Sequence, residues 1–202
     1  MTASSFEPAG RSDSLVGIKI GGSLLRRHDF GSLVRRELER APEPTRLVIV
    51  GGGELINAVR VLDAIRPLPA AAIHWRCVAL LDTTFEFAAD WLPELTPIRT
   101  AEDWNRLVSG ARPGNYLVRP GAFYEPGADG GLPSDWRTTT DAIAVQMTAA
   151  AGGHRTVLVK SCEIPAGSPE ELASLQIIDP AAAPAARRMG VAMEVTTAVS
   201  GS

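Results

Sequence analysis

Two short segments place glycines directly after an apolar run and before a helical pattern. The first is Lys19-Ile20-Gly21-Gly22-Ser23, and the second is Val50-Gly51-Gly52-Gly53-Glu54. The apolar run before the second, residues 47–50, is continuous, which is typical of a strand covered on both faces. Strands that end in a glycine turn and lead into a helix are the building units of parallel α/β sheets. These two junctions therefore constrain the fold more than any other feature of the chain.

The rest of the chain continues the alternation of strands and helices. Helical periodicity from 24 to 40 is interrupted near Gly31, and Thr100 with Asp103 resembles a capping box. We expect a three-layer αβα sandwich with a mostly parallel central sheet, as one domain from 15 to 199 with a proline- and glycine-rich loop at 120–137 and with tails at 1–14 and 200–202. Strands are predicted at 15–20, 47–50, 95–99, 115–119, 156–160 and 191–197, and further helices at 54–65, 74–91, 101–109 and 140–151, with a short one around Arg187 and Arg188.

Composition and charge exclude several classes of partner. The net charge is −3 and no run of Lys or Arg is longer than two, so we expect no nucleic-acid partner. No stretch approaches the roughly 20 apolar residues that span a bilayer, so no membrane partner is expected. Cys77 and Cys162 match no zinc or redox spacing, which predicts two buried free thiols and a cytoplasmic location. No protein-held metal is expected, because no His, Asp or Glu cluster has ligand spacing.

The two glycine turns suit phosphate binding. Glycine lets backbone N–H groups approach an anion closely, and the N-terminus of the following helix adds partial positive charge. One such turn is often only a tight turn, but two on successive strands, the first preceded by Lys19, favour an anion site. The fingerprints G-x-G-x-x-G and G-x-x-x-x-G-K-[ST] are both absent. The pattern argues against a dinucleotide dehydrogenase and against a P-loop enzyme.

With Thr139-Thr140-Asp141-Ala142, these segments complete a resemblance to the amino-acid kinase superfamily, which includes aspartate, acetylglutamate, uridylate and isopentenyl phosphate kinases. The short length and the segment from His74 to Asp82 are most similar to the small aminomethylfuranmethyl phosphate kinases of methanofuran- and methanopterin-linked metabolism. The resemblance covers about residues 16–199 and implies the amino-acid kinase fold, a family typically found as dimers or larger assemblies, and ATP with Mg²⁺ held mainly by the nucleotide phosphates.

The resemblance also implies roles for the motif residues. Lys19 would neutralise the phosphoryl group in transfer, while Gly21, Gly22 and Ser23 would contact it through the backbone. The acceptor would lie on Gly51, Gly52 and Gly53. Asp141 would orient lysines and help to place the magnesium nucleotide. Positioning and charge neutralisation are what phosphoryl transfer requires. The residues alone leave two alternatives open, a solvent-exposed Lys19 and an Asp141 that only caps its helix.

Further candidates for acceptor binding come from position rather than from motifs. Asp82 shares an apolar helix face with Trp75 and Phe85, where a carboxylate is costly to bury unless paired. We hypothesise that it meets a cationic amine of the acceptor; the alternative is a carboxylate that is satisfied by a core arginine or at the edge of the helix. Trp136 and Arg137 precede Asp141 and are candidates to close over the substrate, and Arg119 lies at a strand end on the same rim. Residues of these three types in such positions are more often ordinary surface or packing residues.

Two departures from the family pattern concern the nucleotide side. The strand ending at Lys160 leads into Ser161-Cys162-Glu163 rather than Thr-Asp-x-Asp-Gly, and Lys160 either reaches phosphates or extends into solvent. No lysine follows it; Arg187 and Arg188 are the nearest cations, and the nucleotide lobe is expected to be trimmed. The sequence thus predicts an ATP-dependent kinase that acts on a small phosphorylated acceptor, or a related protein that binds a nucleotide or phosphate without catalysis as part of a complex. We expect a homo-oligomer in either case.

Overall fold

The computed structural model describes residues 12–110 and 112–198. Its strands are β1 (Ser12–Ile20), β2 (Thr45–Val50), β3 (Thr96–Ile98), β4 (Gly114–Val118), β5 (Gly153–Lys160) and β6 (Ala192–Thr197). They form one sheet in the order β3-β4-β2-β1-β5-β6, and every neighbouring pair is parallel. The predicted mostly parallel sheet is confirmed, with β1 at its centre between β2 and β5.

Helices connect the strands and cover both faces of the sheet. They are α1 (Phe30–Arg40), α2 (Gly53–Ile65), α3 (Ala70–Trp91), α4 (Ala101–Ser109), α5 (Thr140–Ala150), α6 (Pro169–Ser174) and α7 (Ala182–Met189), with 3-10 helices at Gly22–Arg26 and Pro120–Ala122. No helix within the described ranges is both long enough and apolar enough to cross a membrane.

The continuously apolar strands are explained by two cores, one on each face. Leu47 and Ile49 of β2 join a cluster that includes α4, α5 and α7, whereas Val48 and Val50 join a cluster with α1 and the second half of α3. Successive side chains of a strand point to opposite faces, so a strand buried on both sides needs an apolar residue at every position. This is the three-layer arrangement that the sequence predicts.

Several boundaries differ from the prediction. β1 begins at Ser12, so the first three described residues of the predicted N-terminal tail belong to the sheet; residues 1–11 and 199–202 lie outside the described ranges. The segment after Gly21 is a 3-10 helix that ends before α1, because Arg27 adopts an extended backbone. α3 begins at Ala70 after Pro69, so His74 lies in its second turn rather than at its start. The capping box of Thr100 and Asp103 on α4 is confirmed.

Candidate active site

The candidate site lies where the central strands end. β1 pairs with β2 on one side and with β5 on the other, so the carboxyl ends of all three strands meet at one edge of the sheet. Open parallel sheets bind ligands at this edge. Lys19 is the penultimate residue of β1, and Lys160 is the last residue of β5. The two lysines are the only ones in the chain, whose other basic residues apart from three histidines are arginines.

Both lysines contact one carboxylate. Asp141, the second residue of α5, places Oδ1 2.8 Å from Lys19 Nζ and Oδ2 2.6 Å from Lys160 Nζ. All three residues are buried. The geometry is consistent with Asp141 orienting lysines, and Lys160 turns inward rather than extending into solvent. The cluster of two ammonium groups and one carboxylate carries net positive charge at the sheet edge.

The two neighbouring ammonium groups favour the ionised form of Asp141. Burial opposes the charge on Asp141, but the two neighbouring ammonium groups outweigh it and lower the pKa of Asp141 to about 2. Burial, and then repulsion from Lys19, lower the pKa of Lys160, while attraction to Asp141 acts in the opposite direction. A buried ammonium that is only partly neutralised favours an anionic ligand.

A second buried carboxylate, Asp179, holds the N-terminus of α5. Its Oδ2 accepts hydrogen bonds from Thr139 N (2.9 Å), Thr139 Oγ1 (2.9 Å) and Ala142 N (3.1 Å), and its own backbone N–H donates to Asp141 Oδ2 (3.1 Å). Burial and then the charge of Asp141 raise the pKa of Asp179 to about 6. Asp179 takes the capping role that the side chain of Thr139 does not perform on its own helix.

The two glycine turns touch each other. A Cβ on Gly22 would lie 2.0 Å from Gly53 N, and Gly53 has φ +51°, so neither position accepts a side chain without displacement of the backbone. Gly21 N donates to Val159 O and Gly51 N donates to Ile20 O, which extends the sheet. The N–H groups of Gly21 and Gly51 are thus used within the protein, so an anion bound at the turns would have to use the N–H groups that follow them. These are the N–H groups of Gly22, Ser23, Gly52 and Gly53.

A cavity of about 230 Å³, the inner cavity, opens on the α2 side of the turns. Trp136 forms part of its wall and donates from Nε1 to Asp63 Oδ2 of α2 (2.8 Å), while the guanidinium of Arg60 lies 5.1 Å from the Trp136 ring centroid. The inner cavity is lined by Lys19, Gly22, Ser23, Gly51, Gly52, Gly53, Ile56, Asn57, Arg60, His74, Cys77, Val78, Leu81, Asp135, Trp136, Thr138, Thr139, Thr140 and Ile143.

A second space of about 560 Å³, the outer groove, opens on the β5 side. It is lined by Lys19, Gly21, Gly22, Ser23, Lys160, Ser161, Cys162, Glu163, Leu175, Gln176 and Ile177. The inner cavity and the outer groove share Lys19, Gly22 and Ser23. Two ligands bound in the two spaces would thus meet at the same lysine and the same glycine turn.

Five of the predicted residues line neither of these spaces: Asp82, Arg119, Arg137, Arg187 and Arg188. The Asp82 carboxylate is paired with Arg119 through two hydrogen bonds, one of 2.7 Å to Nε, as in the arginine alternative. Arg137 is paired with Asp135 (2.7 Å) and exposed, and it lines neither space. Asp82 and Arg137 as acceptor ligands stay predictions from sequence that these contacts do not support. Arg187 pairs with Glu170, and Arg188 donates to Gly130 O (2.6 Å). Both arginines thus have partners away from the two spaces, whereas Lys160 pairs with Asp141.

Sequence reasoning missed three features of the site. Asp179 follows an apolar pair and precedes Pro180, a weak signal of a buried acid at a loop. His74 is buried and hydrogen-bonded to Tyr124 Oη (3.0 Å), which ties the long loop to α3; nothing in the sequence pairs them. Gln176, on the wall of the outer groove, is the only residue other than glycine with positive φ (58°) among those described.

Both cysteines are free thiols, but the expected burial is wrong: Cys162 is exposed in the turn after β5, and Cys77 is half-buried because it faces the inner cavity. Within residues 12–110 and 112–198, no three His, Cys, Asp or Glu side chains are grouped so that they could hold a metal ion.

Comparison with known proteins places the fold. No protein-family model and no curated protein matches the sequence. Solved structures match well: uridylate kinase from Archaeoglobus fulgidus (16% identity, 89% of each chain, TM-score 0.59), UMP kinase from Ureaplasma parvum (12%, 91% of this chain and 89% of that one, 0.61) and UMP kinase from Bacillus anthracis (13%, 90% and 86%, 0.63). The predicted amino-acid kinase fold is confirmed. At these identities the likeness concerns the fold.

Proposed function

We propose that this protein is a small-molecule kinase that transfers a phosphoryl group from ATP, bound in the outer groove, to a small phosphorylated acceptor bound in the inner cavity. The observation that carries the proposal is the convergence of Lys19 and Lys160 on Asp141 where the two spaces meet. A mere anion cradle needs glycine N–H groups and little else. Two buried ammonium groups held by one carboxylate are what a site needs if negative charge must move past it.

Each group has a defined task in this reaction. Lys160 and the N–H groups of Gly22 and Ser23 bind the donor phosphates in the outer groove. Lys19, which lines both spaces, neutralises the group in transfer. The N–H groups of Gly52 and Gly53 hold the acceptor phosphate, and Asp141 keeps both ammonium groups in place. Lysine suits this role because its ammonium is a compact point charge, whereas the guanidinium of arginine is a planar fork. The chain uses arginine at its other strongly basic positions, so lysine at these two is informative.

Magnesium would arrive on the nucleotide in this proposal. Both oxygens of Asp141 contact ammonium groups, and no three-residue metal cluster exists in the part of the chain that the structure describes. The side chains present therefore fit a metal held mainly by phosphate oxygens. When bound, Mg²⁺ would supply additional charge neutralisation between the phosphates.

For the acceptor, we propose aminomethylfuranmethyl phosphate, on the resemblance of the glycine, aspartate and α3 segments to the kinases that use it. The size and lining of the inner cavity favour a small acceptor with one phosphate, since the lining includes both glycine turns and the apolar surface of Trp136 and Ile56. UMP is the second candidate, because the matched structures are UMP and uridylate kinases.

We also propose that the protein self-associates through α2 and α3. These helices form an apolar groove of about 820 Å³, and Leu62 and Ile65 are 66% and 70% exposed. Large exposed apolar surface commonly marks an interface. A second copy of the chain is the occupant that the family resemblance favours.

The test begins with calorimetric titration of the full chain with ATP and Mg²⁺. We expect wild type to bind, Lys19→Ala and Lys160→Ala to bind at least tenfold more weakly, and Arg187→Ala to bind normally. Arg187 is a matched control because it removes one cation that is exposed and paired with Glu170, outside both spaces. Coupled assays with aminomethylfuranmethyl phosphate and UMP then identify the acceptor. No binding by a folded wild type would refute the kinase proposal, and binding without transfer to any acceptor would support the non-catalytic alternative.

A further inference from the structure

We propose that Asp179 is the positioning residue of the Lys19–Asp141–Lys160 cluster: its carboxylate fixes the first turn of α5, and its backbone N–H fixes the carboxylate that this turn carries. Asp179 lies in the connection between α6 and α7, 38 residues after Asp141. The reaction that it serves rests on the proposed function, whereas the positioning itself rests on contacts within the protein.

The Asp179 carboxylate accepts hydrogen bonds from three donors at the start of α5. Oδ2 accepts from the N–H of Thr139, the hydroxyl of Thr139 and the N–H of Ala142, all within 3.1 Å. The N–H groups at the start of a helix have no partner within that helix, and here a residue from a distant segment satisfies two of them. Asp141 lies between Thr139 and Ala142 in the chain, so the clamp encloses the residue that pairs with both lysines.

Asp179 also contacts Asp141 directly, through a hydrogen bond that its backbone N–H donates. The backbone N–H of Asp179 donates to Asp141 Oδ2, the same oxygen that contacts Lys160 Nζ at 2.6 Å. Asp179 therefore holds α5 through its side chain and the rotamer of Asp141 through its main chain. A shift of the α5 turn would change the Lys19 and Lys160 contacts together, because both ammonium groups depend on one carboxylate.

The position of Asp179 is electrostatically unfavourable for a carboxylate. It is 6% exposed, it lies near the charge of Asp141, and its Oδ1 has no hydrogen-bond partner among the described residues. Burying a carboxylate that has one oxygen without a hydrogen bond, beside a second carboxylate, costs free energy. The favourable contacts that oppose this cost all lead to α5 or to the lysines: the three hydrogen bonds to Oδ2 and the attraction between Asp179 and Lys160.

The chain allows a direct measurement of this effect. Because Lys19 and Lys160 are its only lysines, protein labelled with isotopic lysine gives two side-chain NMR signals, both from the site. We would record them for wild type, Asp179→Ala and Asp179→Asn and measure phosphoryl transfer for the same proteins. Alanine retains the backbone N–H to Asp141, so any change in Asp179→Ala reports on the carboxylate. Asparagine retains an acceptor oxygen and the shape of the side chain.

We expect Asp179→Ala to displace both lysine signals and to lower turnover about 10- to 100-fold, since small misplacements of reacting groups are costly. Asp179→Asn should recover much of this loss, to within about tenfold of wild type. It should still displace the Lys160 signal, because one of the carboxylates facing that ammonium has lost its charge, but by less than Asp179→Ala does. Thr100→Ala is the control, because it removes a comparable helix cap on α4, away from the site. It should leave both signals and turnover unchanged.

Unchanged lysine signals with turnover within twofold of wild type in Asp179→Ala would overturn the proposal. If Asp179→Ala does not fold, the same result in Asp179→Asn would overturn it. If Thr100→Ala displaced the lysine signals as strongly as Asp179→Ala, the effect would reflect general loss of stability, and the proposal would also fail. If wild type transfers no phosphoryl group, the kinase proposal fails by itself, and the lysine signals still decide whether Asp179 positions the cluster.

Discussion

Two helices begin at the candidate site with an acidic residue at the second position, and their environments are opposite. Asp141 of α5 is buried between two ammonium groups, whereas Glu54 of α2 is exposed and pairs with Arg26 at 3.0 Å. Nine of the eleven residues of α5 are buried, and no residue of α2 is. The site therefore has one wall anchored in the core and one wall attached at the surface.

The difference assigns separate tasks to the two walls. α5 packs on β1, β2 and β5 and carries Asp141, which in the proposed function holds both ammonium groups in place. α2 contributes Ile56, Asn57 and Arg60 to the inner cavity, where the proposed acceptor would enter and leave. Phosphoryl transfer depends on fixed charge, so the anchored wall is where substitution should do most damage.

The largest expected effect is therefore at Asp141. Asp141→Asn should lower turnover at least 100-fold and destabilise the fold by about 3–5 kcal/mol, because it leaves two buried ammonium groups without their shared partner. Glu54→Gln, the equivalent change on α2, should alter neither quantity measurably, because its ion pair is exposed to solvent. Urea unfolding and initial rates measure both variants. Equal losses at the two positions would contradict the distinction between the walls.

The next-largest expected effect is the loss of stability when a buried apolar side chain of α5 is truncated, compared with an exposed one of α2. Met147 of α5 is fully buried, and Met147→Ala should cost about 2–5 kcal/mol in unfolding free energy at any protein concentration. Leu62→Ala on α2 should cost less than about 0.5 kcal/mol in the monomer. If a second copy covers α2, Leu62→Glu should dissociate the assembly in analytical ultracentrifugation while turnover per chain changes little. A monomeric wild type at high concentration would refute the proposed self-association.

The same contrast explains which parts of the fold and of the candidate site could be predicted from the sequence. The glycine turns, Lys19 and Asp141 carry local patterns, and the continuously apolar strand at 47–50 indicates burial on both faces, so the fold and two of the three residues of the charge cluster could be predicted. The partner of Asp82, the inward direction of Lys160 and the clamp by Asp179 depend on contacts between residues 19 to 38 positions apart. No local pattern encodes such pairings, because the residues belong to different elements and meet only once the strands and helices have packed together.

A smaller effect is expected in the pH dependence of stability, where the two buried carboxylates Asp179 and Asp141 should act over different pH ranges. The pKa of Asp179 is raised to about 6 from an ordinary 3.8, so the folded state binds more protons than the unfolded state between these values. Stability should therefore fall as the pH rises from about 4 to 6, by roughly 1–3 kcal/mol. The pKa of Asp141 is lowered to about 2, so its contribution is already complete above pH 4. Asp179→Asn should lose this decline when unfolding by urea is measured from about pH 4 to 6; parallel profiles for the two proteins would contradict this assignment.

The smallest expected effect is on the attachment of α2. Trp136→Phe removes the hydrogen bond from the indole to Asp63 and leaves an aromatic ring in place, so the fold should be retained while the wall of the inner cavity loosens. We expect the KM for the acceptor to rise about 3- to 10-fold with little change in kcat, because binding contacts are lost and the α5 charges stay fixed. Trp91→Phe, on the exposed end of α3 and outside the inner cavity, is the control and should leave the KM unchanged. A fall in kcat at constant KM would instead show that the α2 wall, like α5, holds the reacting groups themselves.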